Sequence, residues 1–199
     1  MYRHVLVCIV DIQVLQSIQK QTVTNIKNIP YYLTAIGIFI LFKFGFTYAD
    51  NDNLIFLLKP TDKLVGLLTG SNSVYISDKG FFYNQLNIVI DKSCAGFNFW
   101  VLSFLMLTFL GLKYFNSKIK KLLAIPLALI SAYCLTIFVN TSRIFVSIVI
   151  QNQMNDIFSN QKHIIHETIG IVTSLSFLIL TYFIIDKILI KKTHNAKLT

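Results

Sequence analysis

Charge is what this chain has least of. Only 14% of its 199 residues are Asp, Glu, Lys or Arg, while 54% are hydrophobic, and the mean hydropathy is +0.62. A soluble domain carries more charge and less apolar mass, so the balance points to a membrane protein. Acids are scarcer than bases, with 9 against 18, which leaves a formal net charge of +9. Nucleic acid is excluded as a partner, because no basic run is interleaved with aromatics and the lysines stand beside apolar segments as membrane anchors do. Cysteine is nearly absent too. Cys8, Cys94 and Cys134 have neither a pairing pattern nor the spacing of a metal site, so no disulfide framework is expected. The "VLVCIV" run near the N-terminus is short, precedes Asp11 and lacks a small-residue cleavage site, which argues against a signal peptide and for a cytoplasmic amphipathic segment over residues 1–28.

What is present in quantity is long apolar runs. A bilayer core of roughly 30 Å needs about 20 mainly apolar helical residues. Four segments meet that length: about 29–48, 96–115, 122–140 and 164–190. The first holds one charge, Lys43, close enough to its end to snorkel. The third carries Pro126, which a spanning helix tolerates. The stretch 54–69 is interrupted by Lys59, Pro60, Asp62 and Lys63 and reads as short interfacial helices. "IFVSIVI", 144–150, is too short to cross alone and extends the third helix. Between the first two spans, β-branched and aromatic residues on both sides of Asp78-Lys79-Gly80 predict a β-hairpin. The expected fold is therefore an all-α integral membrane protein of about four spans, five or six being the alternatives. Short interfacial helices and a small extracytoplasmic hairpin complete it, and 29–199 forms one membrane-embedded domain.

Basic residues set the orientation. With the N-terminus inside, Arg3, Lys20, Lys27, the four lysines from Lys113 to Lys121, and Lys187, Lys191, Lys192 and Lys197 lie in the cytoplasm. Only Lys59, Lys63, Lys79, Lys92 and Lys162 lie outside. Most acids fall outside as well, so both termini are expected to be cytoplasmic.

Three chemically active side chains then meet at the outer boundary. Cys94 begins the second span in "DKSCAGFNFW", where the unpaired amides and dipole of a helix start stabilise the charged form of a thiol. An inert interfacial cysteine is the other reading. Arg143, in "VNTSRIF", falls roughly 32 Å along the helix from Leu122, at the outer edge of the hydrocarbon; it is an oxyanion-binding group or a topological anchor. His166, in "HIIHETIG", precedes the fourth span at the same level as a base or a polar cap. A metal site of His163, His166 and Glu167 is a further alternative, but the spacing is not that of a zinc helix and no cofactor is expected. Asn140, Asn98 and Glu167 are candidates for substrate contact or for orienting the three, and Ser93 is a candidate helix cap. Cys134 reads as mid-span packing and Trp100 as an interfacial belt residue. A thiol, an imidazole and a guanidinium at one level suit acyl transfer.

"SCAGFNF" around Cys94, "NTSR" at 140–143 and "HETIG" at 166–170, in that order, resemble the exosortase/archaeosortase family of membrane-embedded cysteine transpeptidases, most closely the small K-type exosortases. The resemblance covers about residues 50–190. It implies substrates that are exported proteins with a C-terminal sorting tail, made of a recognition motif, a transmembrane helix and a basic cluster. It also implies Cys94 as the nucleophile forming a thioester, His166 as general base and acid, Arg143 as oxyanion-binding or substrate-orienting group, and an envelope acceptor that resolves the thioester. The expected location is the cytoplasmic membrane, among its lipids, with the site on the extracytoplasmic side. The chain is shorter than many relatives, so either four spans suffice or a partner or oligomer completes the substrate groove. A membrane cysteine protease without transfer and a non-enzymatic subunit or transporter-like component are the alternatives.

Overall fold

The computed structural model describes residues 28–115, 117–153 and 162–195, with side chains described for 28–115, 117–150 and 168–192. The expected cytoplasmic segment, 1–28, lies outside them apart from its last residue.

Helix α1 spans Asn28–Tyr48. Pro30 sits in its first turn, where a missing N–H costs nothing. At the far end Lys92 Nζ accepts the role of cap, donating to the carbonyls of Thr47 at 3.3 Å and Ala49 at 2.7 Å.

Helix α2, Ile55–Thr69, is one helix where two or more short ones were expected. Its buried Leu57, Leu58, Thr61, Asp62 and Val65 recur at helical spacing, while Lys59 and Lys63 stay exposed. Pro60 has no N–H to donate to the carbonyl of Phe56 four residues back. That carbonyl is taken by the Tyr133 hydroxyl at 2.8 Å, so the proline gap becomes a tie to the bundle.

The expected hairpin is an antiparallel three-stranded sheet: β1 Val74–Ile76, β2 Gly80–Tyr83 and β3 Ile88–Ile90, in that order. Gly80, at φ 90°, closes the first turn, and a Cβ there would stand 2.4 Å from the Ile90 carbonyl oxygen. Asp52 anchors the edge by accepting from Tyr75 and from Ser77 at 2.6 Å. Tyr83 is 1% exposed and donates to the Asp62 carbonyl of α2 at 2.8 Å. Burial and the neighbouring Asp62 push its hydroxyl pKa up.

Helix α3, Phe97–Tyr114, is the axis of the molecule, with Val101 and Phe104 almost wholly buried. Trp100 is no belt residue: it is buried, donates to the Leu129 carbonyl at 3.3 Å and stacks on Phe42 at 5.2 Å. An indole buried with its N–H satisfied packs the core instead of marking the interface. Helix α4, Lys118–Gln153, runs without a break through "IFVSIVI", about 54 Å in all, and α5 follows as Lys162–Asn195. Cys134 faces outward from α4 and is exposed, not packed.

Among the described residues, four helical segments are long and apolar enough to span a membrane: Asn28–Tyr48, Lys92–Tyr114, Lys118–Ile150 and Thr168–Lys192. Their ends sort into two groups. Asn28 donates to the Leu112 carbonyl and accepts from the buried Lys121 ammonium, and Tyr114 donates to Asp186 at 2.6 Å with Lys113 3.5 Å from the same oxygen. The start of α1, the end of α3, the start of α4 and the end of α5 therefore share one end. The other end carries the sheet and Cys94.

Candidate active site

The local sequence "IDKSCAGF" builds the turn that carries the thiol. β3 delivers the chain to Asp91, whose extended backbone caps a 3-10 turn, Lys92–Cys94. Asp91 Oδ1 accepts from the Ser93 amide at 2.9 Å, the Ser93 hydroxyl at 2.6 Å and the Cys94 amide at 3.3 Å. Ser93 is thus the partner of a cap and not the cap itself, and its Oγ stands 3.8 Å from Cys94 Sγ. Lys92 fixes the turn from its other side: its amide donates to Asn51 Oδ1 at 2.8 Å and its ammonium lies 5.0 Å over the Phe46 ring.

Cys94 does not occupy the first turn of α3, as a thiol at the helix start would. The helix begins at Phe97 after Gly96, which takes φ 70° and leaves the helix without a side-chain cap. Ala95 in the right-handed and Gly96 in the left-handed helical region is the alternation that turns successive amides into one concavity. Among the described residues the amides of Gly96 and Phe97 have no backbone acceptor.

α4 meets this turn with two polar side chains one helical step apart. Asn140 Nδ2 donates to the Cys94 carbonyl at 2.5 Å, and Arg143 Nη2 donates to the same oxygen at 3.3 Å. Arg143 Nε is buried and has no acceptor among the described residues. α5 closes on the arginine through Gly170, where a Cβ would stand a tight 3.3 Å from Arg143 Cδ. His163, His166 and Glu167 lie in the opening turns of α5, and their side chains are outside the described residues. Asn98 lines the same region but its Oδ1 accepts from Lys43 at 2.6 Å, so Lys43 is paired rather than snorkelling and Asn98 is turned to α1. Among the described residues no group of three His, Cys, Asp or Glu side chains could hold a metal ion.

Ser93 and Gly96, on either side of the buried Cys94, head a cleft of about 1000 Å³ between α3, α4 and α5; Cys94 itself is not among its lining residues. Its polar mouth comprises Asp91, Lys92, Ser93, Asn140 and Arg143, and its walls descend to Leu102 on α3 and Leu178 on α5. From Gly170 to Leu178 that descent is about 12 Å along the helix. Leu102, Ile171 and Leu175 line the cleft and are also exposed on the outer surface, so it opens sideways.

A family model described as transmembrane exosortase matches residues 31–183, from the first turn of α1 to about two thirds of the way along α5. The chain belongs to the transmembrane exosortase family. No curated protein and no solved structure matches it. All three segments that carry the resemblance lie within the matched residues of this exosortase, and the fold brings two of them, at Cys94 and at Asn140 to Arg143, into direct contact. The third, "HETIG", reaches that contact through Gly170. Asp91, Lys92 and Gly96 had no place among the sequence candidates. An Asp two residues before a Ser is a local capping signal, whereas the ties of Lys92 to Asn51 and α1 are long-range and leave no mark in the sequence.

Proposed function

We propose that this exosortase is a cysteine transpeptidase that removes the C-terminal sorting tail of exported proteins through a thioester on Cys94. The observation that carries the reading is the meeting of Cys94 with Arg143 at the mouth of a cleft with apolar walls, where a membrane-tethered polypeptide can lie beside a cationic, hydrogen-bonding head. Cys94 Sγ attacks the scissile carbonyl carbon and forms the C–S bond as the C–N bond breaks. The leaving amine takes the proton that His166 removed from the thiol. His166 stands four residues, about one turn, before the Gly170 that touches Arg143. Charge on the carbonyl oxygen develops beside the amides of Gly96 and Phe97. An envelope nucleophile then takes the acyl group and frees the thiol. The lysines at the opposite end of the bundle, Lys113, Lys118, Lys120, Lys121, Lys187, Lys191 and Lys192, favour a cytoplasmic location for that end, with the thiol on the extracytoplasmic face.

The test is co-expression with a tail-bearing protein, following tail loss and the mass of the new C-terminus. Processing is expected in the wild type and absent in Cys94→Ala, Arg143→Ala and His166→Ala. An adduct on the new C-terminus identifies transfer, and a bare carboxylate identifies hydrolysis. Processing by Cys94→Ala would remove Cys94 from the nucleophile's role.

A further inference from the structure

Arg143 is the group expected on the oxyanion, yet its bond in the structure goes elsewhere. Its Nη2 donates to the backbone carbonyl of Cys94, the oxygen that Asn140 Nδ2 also holds. A carbonyl oxygen has two lone pairs, and here two α4 side chains take both. In an uninterrupted helix that oxygen would accept from the amide of Asn98, four residues on. Instead it is drawn across to α4, and the chain turns through Gly96 before α3 begins.

The clamp is closely fitted. Asn140 is 3% exposed, and residues three apart on a helix share a face, so Asn140 and Arg143 approach from one direction. A Cβ on Gly96 would stand 3.1 Å from Asn140 Cγ and 3.2 Å from Thr136 Cγ2, so a side chain there would press on the clamp. A buried carboxamide is held in place by the hydrogen bond it makes, and losing that bond strands both partners.

We propose that Asn140 and Arg143 are positioning residues that work as a pair through the Cys94 carbonyl, fixing the backbone that bears the thiol, and that this is the route by which Arg143 supports catalysis. The inference rests on the reading of Cys94 as nucleophile.

Two arms test it. In the kinetic arm, Asn140→Ala and Arg143→Ala each lower kcat about 10–100-fold with KM within about twofold, the effect of a lost hydrogen bond that involves a charged or buried group. Because both act through one atom, the double variant is expected within about threefold of the worse single variant. Losses that multiply would overturn the pair. Asn140→Leu, which keeps a similar volume and has no donor, is expected to match Asn140→Ala; wild-type turnover in that variant also overturns the proposal. In the spectroscopic arm, cysteine labelled with 13C at its carbonyl is incorporated into a Cys8→Ser/Cys134→Ser background, so that Cys94 alone reports. Its amide I band is expected to move to higher wavenumber in Asn140→Ala and further in the double variant, and an unmoved band overturns the clamp. This arm needs no substrate. It decides the clamp even where the wild type processes no tail-bearing protein, a result that would count against the proposed function instead.

Discussion

Gly170 of α5 lies against the side chain of Arg143 on α4, at a separation where a single methyl group would stand 3.3 Å from Cδ and 3.5 Å from Nη1. Such contacts are tight but not closed, so the outcome scales with size. Gly170→Ala is expected to displace the guanidinium by a few tenths of an ångström and lower processing a few-fold. Gly170→Leu is expected to lower it by roughly 100-fold, the usual cost of about 1 Å of misplacement. Initial rates of tail loss in membranes with matched expression check the ordering, and equal activity in all three would show that the contact is idle.

Asp91 holds the thiol-bearing turn through three hydrogen bonds on one oxygen. Removing a capping acceptor costs about 1 kcal/mol, and Asn keeps the acceptor where Ala does not. Amide hydrogen exchange at Ser93 and Cys94 is therefore expected to speed up in Asp91→Ala by roughly fivefold and much less in Asp91→Asn. Equal protection in wild type and Asp91→Ala would remove Asp91 from the turn's support.

Pro60 and Tyr133 form one device. The carbonyl that the proline cannot satisfy is satisfied by the Tyr133 hydroxyl. Tyr133→Phe is expected to lower stability by about 1 kcal/mol, read as a lower midpoint of thermal unfolding in a fixed micelle. Combined with Pro60→Ala, which restores the helical N–H, most of the loss should return. A double variant no better than Tyr133→Phe would separate the two residues.

The three-stranded sheet carries its own pH dependence. Hydrogen bonds from Ser77, chiefly, and from Tyr75 hold the Asp52 carboxyl below its ordinary 3.8, while Asp52 pushes the Tyr75 hydroxyl up to about 12. The depressed carboxyl contributes stability above its unfolded value, and that contribution fades as pH falls through the folded value. The raised hydroxyl contributes below its unfolded value near 10 and fades as pH rises through about 12. Between pH 5 and 9 the sheet's susceptibility to proteolysis is expected to be flat, rising only in strong acid or strong base. Asp52→Asn should abolish the acid limb; an unchanged acid limb in that variant would place its origin in another group.

Much of this architecture is visible in apolar run length alone. A run such as 96–115 has one structural use, and its ends are marked by Gly96 on one side and Lys113 on the other. The third strand escaped notice because Ile88–Ile90 is brief and is separated from Tyr83 by a polar break, so its pairing with β2 depends on register and not on local pattern. The meeting of Cys94 with Arg143 was legible as a shared depth, because helical rise converts sequence distance into height. Which atom of Cys94 the arginine would touch was not, since that depends on the left-handed turn at Gly96 and on the packing of Asn140 against it. Trp100 misled for a related reason: an indole near a helix end has the sequence look of a belt residue whether it points to lipid or, as here, to Leu129.

The sideways opening of the cleft has one more consequence. Most described residues of α5 within its span are not buried, and among its contacts with its neighbours are Gly170 on Arg143, Phe177 against Phe138 and Asp186 with Tyr114. In a membrane, the exposed faces of Ile171 and Leu175 along the cleft would meet acyl chains. On the proposed function the bilayer is then a component of the reaction vessel: it would set the local dielectric and keep bulk water away from a thioester on Cys94, so moving this exosortase into detergent would change the solvent around the proposed site as well as at the surface.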